Sequence, residues 1–66
     1  MTIIANGDSF ELENGTTLPR FVESLNLALT RVVVEHNGNA LSPSDAQNCV
    51  LRDGDQLEIV RIVAGG

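Results

Sequence analysis

Between Ser9 and Leu25 the hydrophobic pattern changes period, and this change restricts the fold more than any other feature of the chain. Ser9-Phe10-Glu11-Leu12-Glu13 alternates polar and apolar strictly. That is the period of a half-buried strand, with Phe10 and Leu12 inward and the glutamates in water. Asn6-Gly7 stands before it, and Asn-Gly supplies the two positive-φ residues of a tight hairpin. Ile3-Ile4-Ala5 is therefore read as the first arm of that hairpin. Asn14-Gly15 ends the second arm. Leu18, Phe21, Val22 and Leu25 then recur at i, i+3, i+4 and i+7, one apolar face of a helix. Thr17 can cap that helix, and Pro19 falls where its missing N–H costs nothing. The pattern predicts a helix to about Asn26 or Leu27.

The rest of the chain is mostly extended. Val32-Val33-Val34 is β-branched and reads as a third strand, broken at Asn37-Gly38-Asn39. Ala40 to Asn48 is small and polar, a loop with one helical turn around Ser42-Pro43-Ser44-Asp45. Cys49-Val50-Leu51 is expected to pair briefly, and Asp53-Gly54-Asp55 to make a tight turn. Gln56 to Val63 reads as the last strand, with Leu57 and Ile59 inward. A hairpin, one helix and further strands make an α+β domain, with a mixed sheet of about four to five strands and the main helix on one face. The expected core is Phe10, Leu12, Leu18, Phe21, Val22, Leu25, Val32, Val34, Leu57 and Ile59. Sixty-six residues make a single domain, residues 1–66, with a small core and a flexible tail at 63–66.

Charge and composition narrow the function. Nine acidic residues stand against four arginines, and lysine is absent. A net charge of −5 suits neither nucleic acid nor an anionic membrane surface, and suits docking onto a basic partner. No targeting segment is visible and the longest apolar run is far too short for a span, so a cytoplasmic protein is expected. Cys49 is alone, which excludes a disulfide framework and reads as a small apolar filler.

A self-contained catalytic site is not visible. His36, the single histidine, reads as a solvated strand-end residue, and one His with one distant Cys makes no metal site. Asp53-Gly54-Asp55 lacks the spacing of a calcium loop. The chain reads as a substrate or carrier, with no bound metal and no bound cofactor.

The sequence closes on Val63-Ala64-Gly65-Gly66. Two glycines without side chains can thread a narrow channel, and the α-carboxylate of Gly66 can be activated by ATP. A frayed terminus is an equally open reading of the dipeptide alone. Period 2 sends Glu58, Val60 and Ile62 to the face of the last strand opposite Leu57 and Ile59. Val60 and Ile62 are then either scattered surface aliphatics or an apolar docking patch rimmed by carboxylates such as Glu58.

The whole chain resembles the ubiquitin-like β-grasp sulfur carriers, in particular the ThiS type of thiamine thiazole biosynthesis. The resemblance rests on Ile3-Ile4-Ala5-Asn6-Gly7, Thr17-Leu18, Val32-Val33-Val34 leading to Asn37-Gly38, and Asp53-Gly54-Asp55-Gln56-Leu57 through Val63-Ala64-Gly65-Gly66. It implies a β-grasp fold and a cycle centred on Gly66. An E1-like adenylating enzyme uses ATP to activate Gly66. A persulfide from an enzyme of the cysteine desulfurase type supplies sulfur, and thiazole synthase receives it from the Gly66 thiocarboxylate. On this resemblance Gly65 gives clearance, and Ala64 and Val63 are the next part of the threaded tail. Ser42 to Ala46 lacks the basic residue and tryptophan of many such carriers, so no partner contact is assigned there. Alternatives are a sulfur carrier for molybdopterin synthesis, a protein modifier forming isopeptide bonds, and a plain interaction module.

Overall fold

The computed structural model describes residues 1–62. Strand β1 (Thr2–Ala5) and β2 (Asp8–Glu11) form the expected hairpin, with Ala5 opposite Asp8. The turn residues Asn6 and Gly7 sit at φ 50° and 84°, the left-handed pair that matches strand twist. Helix α1 (Leu18–Ser24) begins as the sequence predicts: the Thr17 hydroxyl accepts from the Arg20 N–H at 3.3 Å. A 3-10 turn (Leu29–Arg31) leads into β3 (Val32–His36). Then come β4 (Asn39–Ala40), a short helix α2 (Pro43–Gln47) and β5 (Gln56–Arg61).

The sheet order is β2-β1-β5-β3-β4, so the last strand in sequence is the middle strand in space. β5 runs parallel to β1 and antiparallel to β3. This is the mixed sheet expected, with five strands and one main helix. α1 lays Leu18, Phe21 and Val22 on one face of it, against Ile3, Ala5, Val32, Val34, Leu57 and Ile59. Each fully buried aliphatic or aromatic side chain contributes about 1.5–3 kcal/mol. Phe21 is the largest of them, and its ring meets Phe10 edge-on at 5.1 Å.

Several elements differ from the sequence reading for identifiable reasons. α1 stops at Ser24 because Asn26 takes φ 61°. The Leu27 N–H then reaches back to the Val22 carbonyl and the Asn26 N–H to that of Glu23, a Schellman closure with asparagine in glycine's usual place. β2 stops at Glu11, although Leu12 still exchanges hydrogen bonds with Met1. Phe10, Leu12 and Leu25 are half-buried and pack on the rim of the core, since β2 is an edge strand and Leu25 is the helix cap. Asn37-Gly38 does more than break β3. Its φ values of 50° and 86° make a second two-residue hairpin, which pairs β4 with Glu35 and His36. Ala46 and Leu51 join the core. The Cys49–Leu51 stretch pairs as expected, through a bridge of Val50 with Thr17. β5 ends at Arg61, though the Ile62 N–H still donates to the Arg31 carbonyl; Val63, the end expected for it, lies outside the described residues.

The turn before β5 uses both of its carboxylates. Asp53 accepts from the Thr2 N–H at 2.7 Å. Asp55 is buried and accepts from the Arg52 N–H at 2.8 Å and from the Asn37 side chain at 3.1 Å. Its Oδ2 also lies 2.9 Å from His36 Nε2. His36 is thus a strand-end residue, as expected, but half-buried and paired rather than solvated. Burial pushes the Asp55 carboxyl up. The hydrogen bonds from His36, Arg52 and Asn37, with the charge of His36, outweigh burial and hold it below the usual carboxylate range.

A folded-state value below the unfolded one means that the unfolded chain binds more protons on the acid limb. The contribution of Asp55 is therefore complete above about pH 4, the unfolded carboxylate range, and is lost as pH falls through the folded value. We expect Asp55→Asn to lower the urea midpoint at pH 7 and to flatten its decline below about pH 4 relative to the native chain. Parallel midpoint curves for the two proteins would contradict this assignment.

Candidate functional site

The helix covers one face of the sheet and leaves the other open. Along β5 the side chains alternate in and out, so Leu57 and Ile59 enter the core while Glu58 and Val60 face away. Val60 is 60% exposed and Ile62, just past the strand, 56%. Both were expected on this face from the alternation of the last strand; the structure places Val60 there with Glu58, while Ile62, past the strand, borders a groove with Leu29, Val32, Val34 and Ala46. Val63, Ala64, Gly65 and Gly66 lie outside the described residues.

Register brings further residues to them. Val33 lies directly opposite Val60 across the β3–β5 ladder and is 48% exposed. Ile4, on the other neighbour of β5, is 41% exposed. The outer face therefore carries Ile4, Val33 and Val60, three exposed aliphatics on three adjoining strands, with exposed Ile62 just past the end of β5. Glu35 stands directly opposite Glu58 on the same face. Like charges so paired are unfavourable in the free protein, and they give this end of the patch a negative rim. Ile4, Glu35, Gln56 and Glu58 line an open depression between the two Asn-Gly turns.

Sequence reasoning missed Val33, Ile4 and Glu35 as members of this face. The expected core positions Val32 and Val34 already turn Val33 outward, as the structure has it, but nothing local says that Val33 meets Val60. The ladder decides that, and the partner is 27 positions away in sequence.

The same surface offers no catalytic machinery. Among the described residues no group of three His, Cys, Asp or Glu side chains is placed to hold a metal ion. His36 is engaged by Asp55. Burial, and then the charge of Asp55, push the Cys49 thiol up, so it stays protonated and weakly nucleophilic near neutral pH. Among the described residues no helix is long and apolar enough to cross a membrane. What the arrangement provides is a rigid handle: an apolar, negatively rimmed sheet face built around the strand that leads into the Gly-Gly tail.

Comparison with known proteins agrees in fold and in family. A thiamine biosynthesis protein (ThiS) from Geobacter metallireducens, solved by crystallography, superposes with a TM-score of 0.81. It is 25% identical, with all of both chains covered. A solution structure of a thiamine biosynthesis protein from the same organism gives a TM-score of 0.77 at 25% identity, covering all of this chain and 88% of the other. The fold is thus the ubiquitin-like β-grasp. A thiazole synthase of Magnetococcus marinus is 36% identical over 66 residues. The match covers all of this chain and 20% of that relative, so the chain spans one-fifth of the protein it aligns with. The ThiS family model matches residues 2–66, from the first strand through both terminal glycines. On that match and the fold that accompanies it, the chain belongs to the ThiS family.

Proposed function

We propose that the chain is a sulfur carrier for thiazole formation in thiamine biosynthesis, with Gly66 as the reacting residue. One observation carries this reading: the middle strand of the sheet presents Val60 and Ile62 to solvent and leads directly into Val63-Ala64-Gly65-Gly66. The family match that extends through Gly66 supports it. So does the stretch aligned with this whole chain inside a protein named thiazole synthase.

The chemistry follows from the carboxylate. At neutral pH it is an anion and a poor acyl acceptor. An E1-like enzyme joins it to the α-phosphorus of ATP, with loss of pyrophosphate, and the acyl-adenylate carries AMP as a good leaving group. The terminal sulfur of a persulfide, supplied by an enzyme of the cysteine desulfurase type, displaces AMP. Reduction of the S–S bond by a thiol leaves a thiocarboxylate on Gly66. Thiazole synthase then accepts the sulfur. The carrier is a co-substrate in this cycle, working in the cytoplasm where ATP is available, and ATP binds the activating partner. Gly65 gives backbone clearance in the partner's channel, with Ala64 and Val63 following it. The face made by Val60 and Ile62, with Val33 and the rim of Glu58 and Glu35, docks on the partner through apolar burial and charge complementarity.

Two sets of variants test the parts separately. Deleting Gly66, or replacing Gly65 by Phe, should leave the circular dichroism spectrum unchanged and abolish sulfur transfer. Full activity of the Gly66-deleted chain would sink the carrier reading. Val60→Asp combined with Ile62→Asp should change stability modestly, because both residues are exposed. Affinity for the activating enzyme should fall at least about tenfold, about 1.4 kcal/mol. Unchanged binding by the folded double variant would leave recognition to the tail alone.

A further inference from the structure

β5 is held unequally by its two neighbours. On the β3 side the ladder extends from His36–Leu57 to Val32–Arg61, and the Ile62 N–H continues it to the Arg31 carbonyl. On the β1 side the paired register comprises Ile4–Gln56 and Ala5–Leu57. The last backbone bond there is from the Asn6 N–H to the Leu57 carbonyl, at 2.9 Å. After that β1 turns away into the Asn6-Gly7 hairpin. Beyond Leu57, β5 has no strand beside it on this side.

The side chain of Asn6 fills the gap. Its Oδ1 accepts from the Ile59 N–H at 2.7 Å, and its Nδ2 donates to the Ile59 carbonyl at 3.0 Å. One primary amide thus supplies the donor and the acceptor that the next residue of a longer β1 would have presented. Asn6 also sits at φ 50°, as the first central residue of the turn. Glycine would satisfy that conformation without the amide. Aspartate would satisfy it with the acceptor but without the donor. Both demands together select asparagine.

The position of this clamp suggests its consequence. Ile59 lies between Glu58 and Val60, which face outward, and three residues before Ile62. Asn37 takes hold of the beginning of the same strand, its Oδ1 accepting from the Gln56 N–H at 2.9 Å. The two turn asparagines therefore grip the middle strand from opposite sides, Asn37 at its entry and Asn6 near its exit.

We propose that Asn6 is a positioning residue for the tail-activation reaction. By holding the backbone of Ile59 on the side where β1 has ended, it fixes the strand that carries Val60, and Ile62 just beyond it, for docking. The inference rests on the carrier reading for its effect on the reaction, but not for its effect on the strand.

The test compares Asn6→Gly and Asn6→Asp with the native chain in two measurements. The first is amide hydrogen exchange of the free protein. In Asn6→Gly, exchange at Val60 and Ile62 should quicken by about tenfold while Ile3, Phe21 and Val22 keep their relative protection. Asn6→Asp should be intermediate. The second is ATP–pyrophosphate exchange with the activating enzyme. KM for the carrier should rise about fivefold in Asn6→Gly with kcat little changed, and rise less in Asn6→Asp. A uniform rise in exchange across the whole core, with KM unchanged, would show a general stabiliser and overturn the proposal. Faster exchange at Ile59 alone, with Val60, Ile62 and KM unaltered, would also overturn it. If even the native chain fails to be adenylated, the carrier reading falls, and the hydrogen-exchange comparison still decides whether Asn6 holds the strand.

Discussion

The pairing of β1 with β5 is the constraint on which the rest of the molecule depends. It joins the two ends of the described chain in parallel, which requires the whole intervening chain to cross over and return. The paired register Ile4–Gln56 and Ala5–Leu57 is flanked by backbone bonds from Gly54 to Thr2, Ile4 to Asp55, and Asn6 to Leu57. The Thr2 N–H adds a bond to the Asp53 carboxylate. With β1 on one side and β3 on the other, β5 becomes the spine of the sheet, and α1 then has one continuous apolar surface to cover. A chain of this length has little core to spare. Placing β5 in the centre gives it a paired neighbour on each side.

The same placement gives the middle strand two different faces. One side of β5 supplies Leu57 and Ile59 to the core, and the other supplies Glu58 and Val60 to solvent. The strand that a partner would grip is therefore also the strand that the fold cannot release without unfolding. A docking face on an edge strand would be free to fray.

Much of this was legible in the sequence where the signal was local. The alternation of Ser9–Glu13, the 3.6 period of α1 and the Thr17 cap needed no knowledge of distant residues. β4 was legible too, since Asn37-Gly38 is the same turn signal as Asn6-Gly7. The two strand residues that follow it, Asn39 and Ala40, are too few and too polar to carry an alternating pattern of their own. What could not be read was set by pairing across the chain. Val33 and Ile4 come beside the outer face of β5 only through its register, and His36 is paired only because the fold brings it to Asp55. The end of α1 was misjudged because asparagine at position 26 took a conformation more often given to glycine. In the candidate site, Glu58 and Val60 followed from the period of one strand. Glu35 and Val33 required its neighbour.

The central claim is that Gly66 accepts sulfur, and intact mass tests it most directly. The purified chain is incubated with ATP, its activating enzyme, a cysteine desulfurase and cysteine, with a thiol reductant present. The account predicts a single species heavier by about 16 Da, one oxygen replaced by sulfur at the terminal carboxyl, with the increment confined to the fragment containing Gly66. An unchanged mass in a mixture that consumes ATP, or a ladder of conjugates in its place, would contradict it.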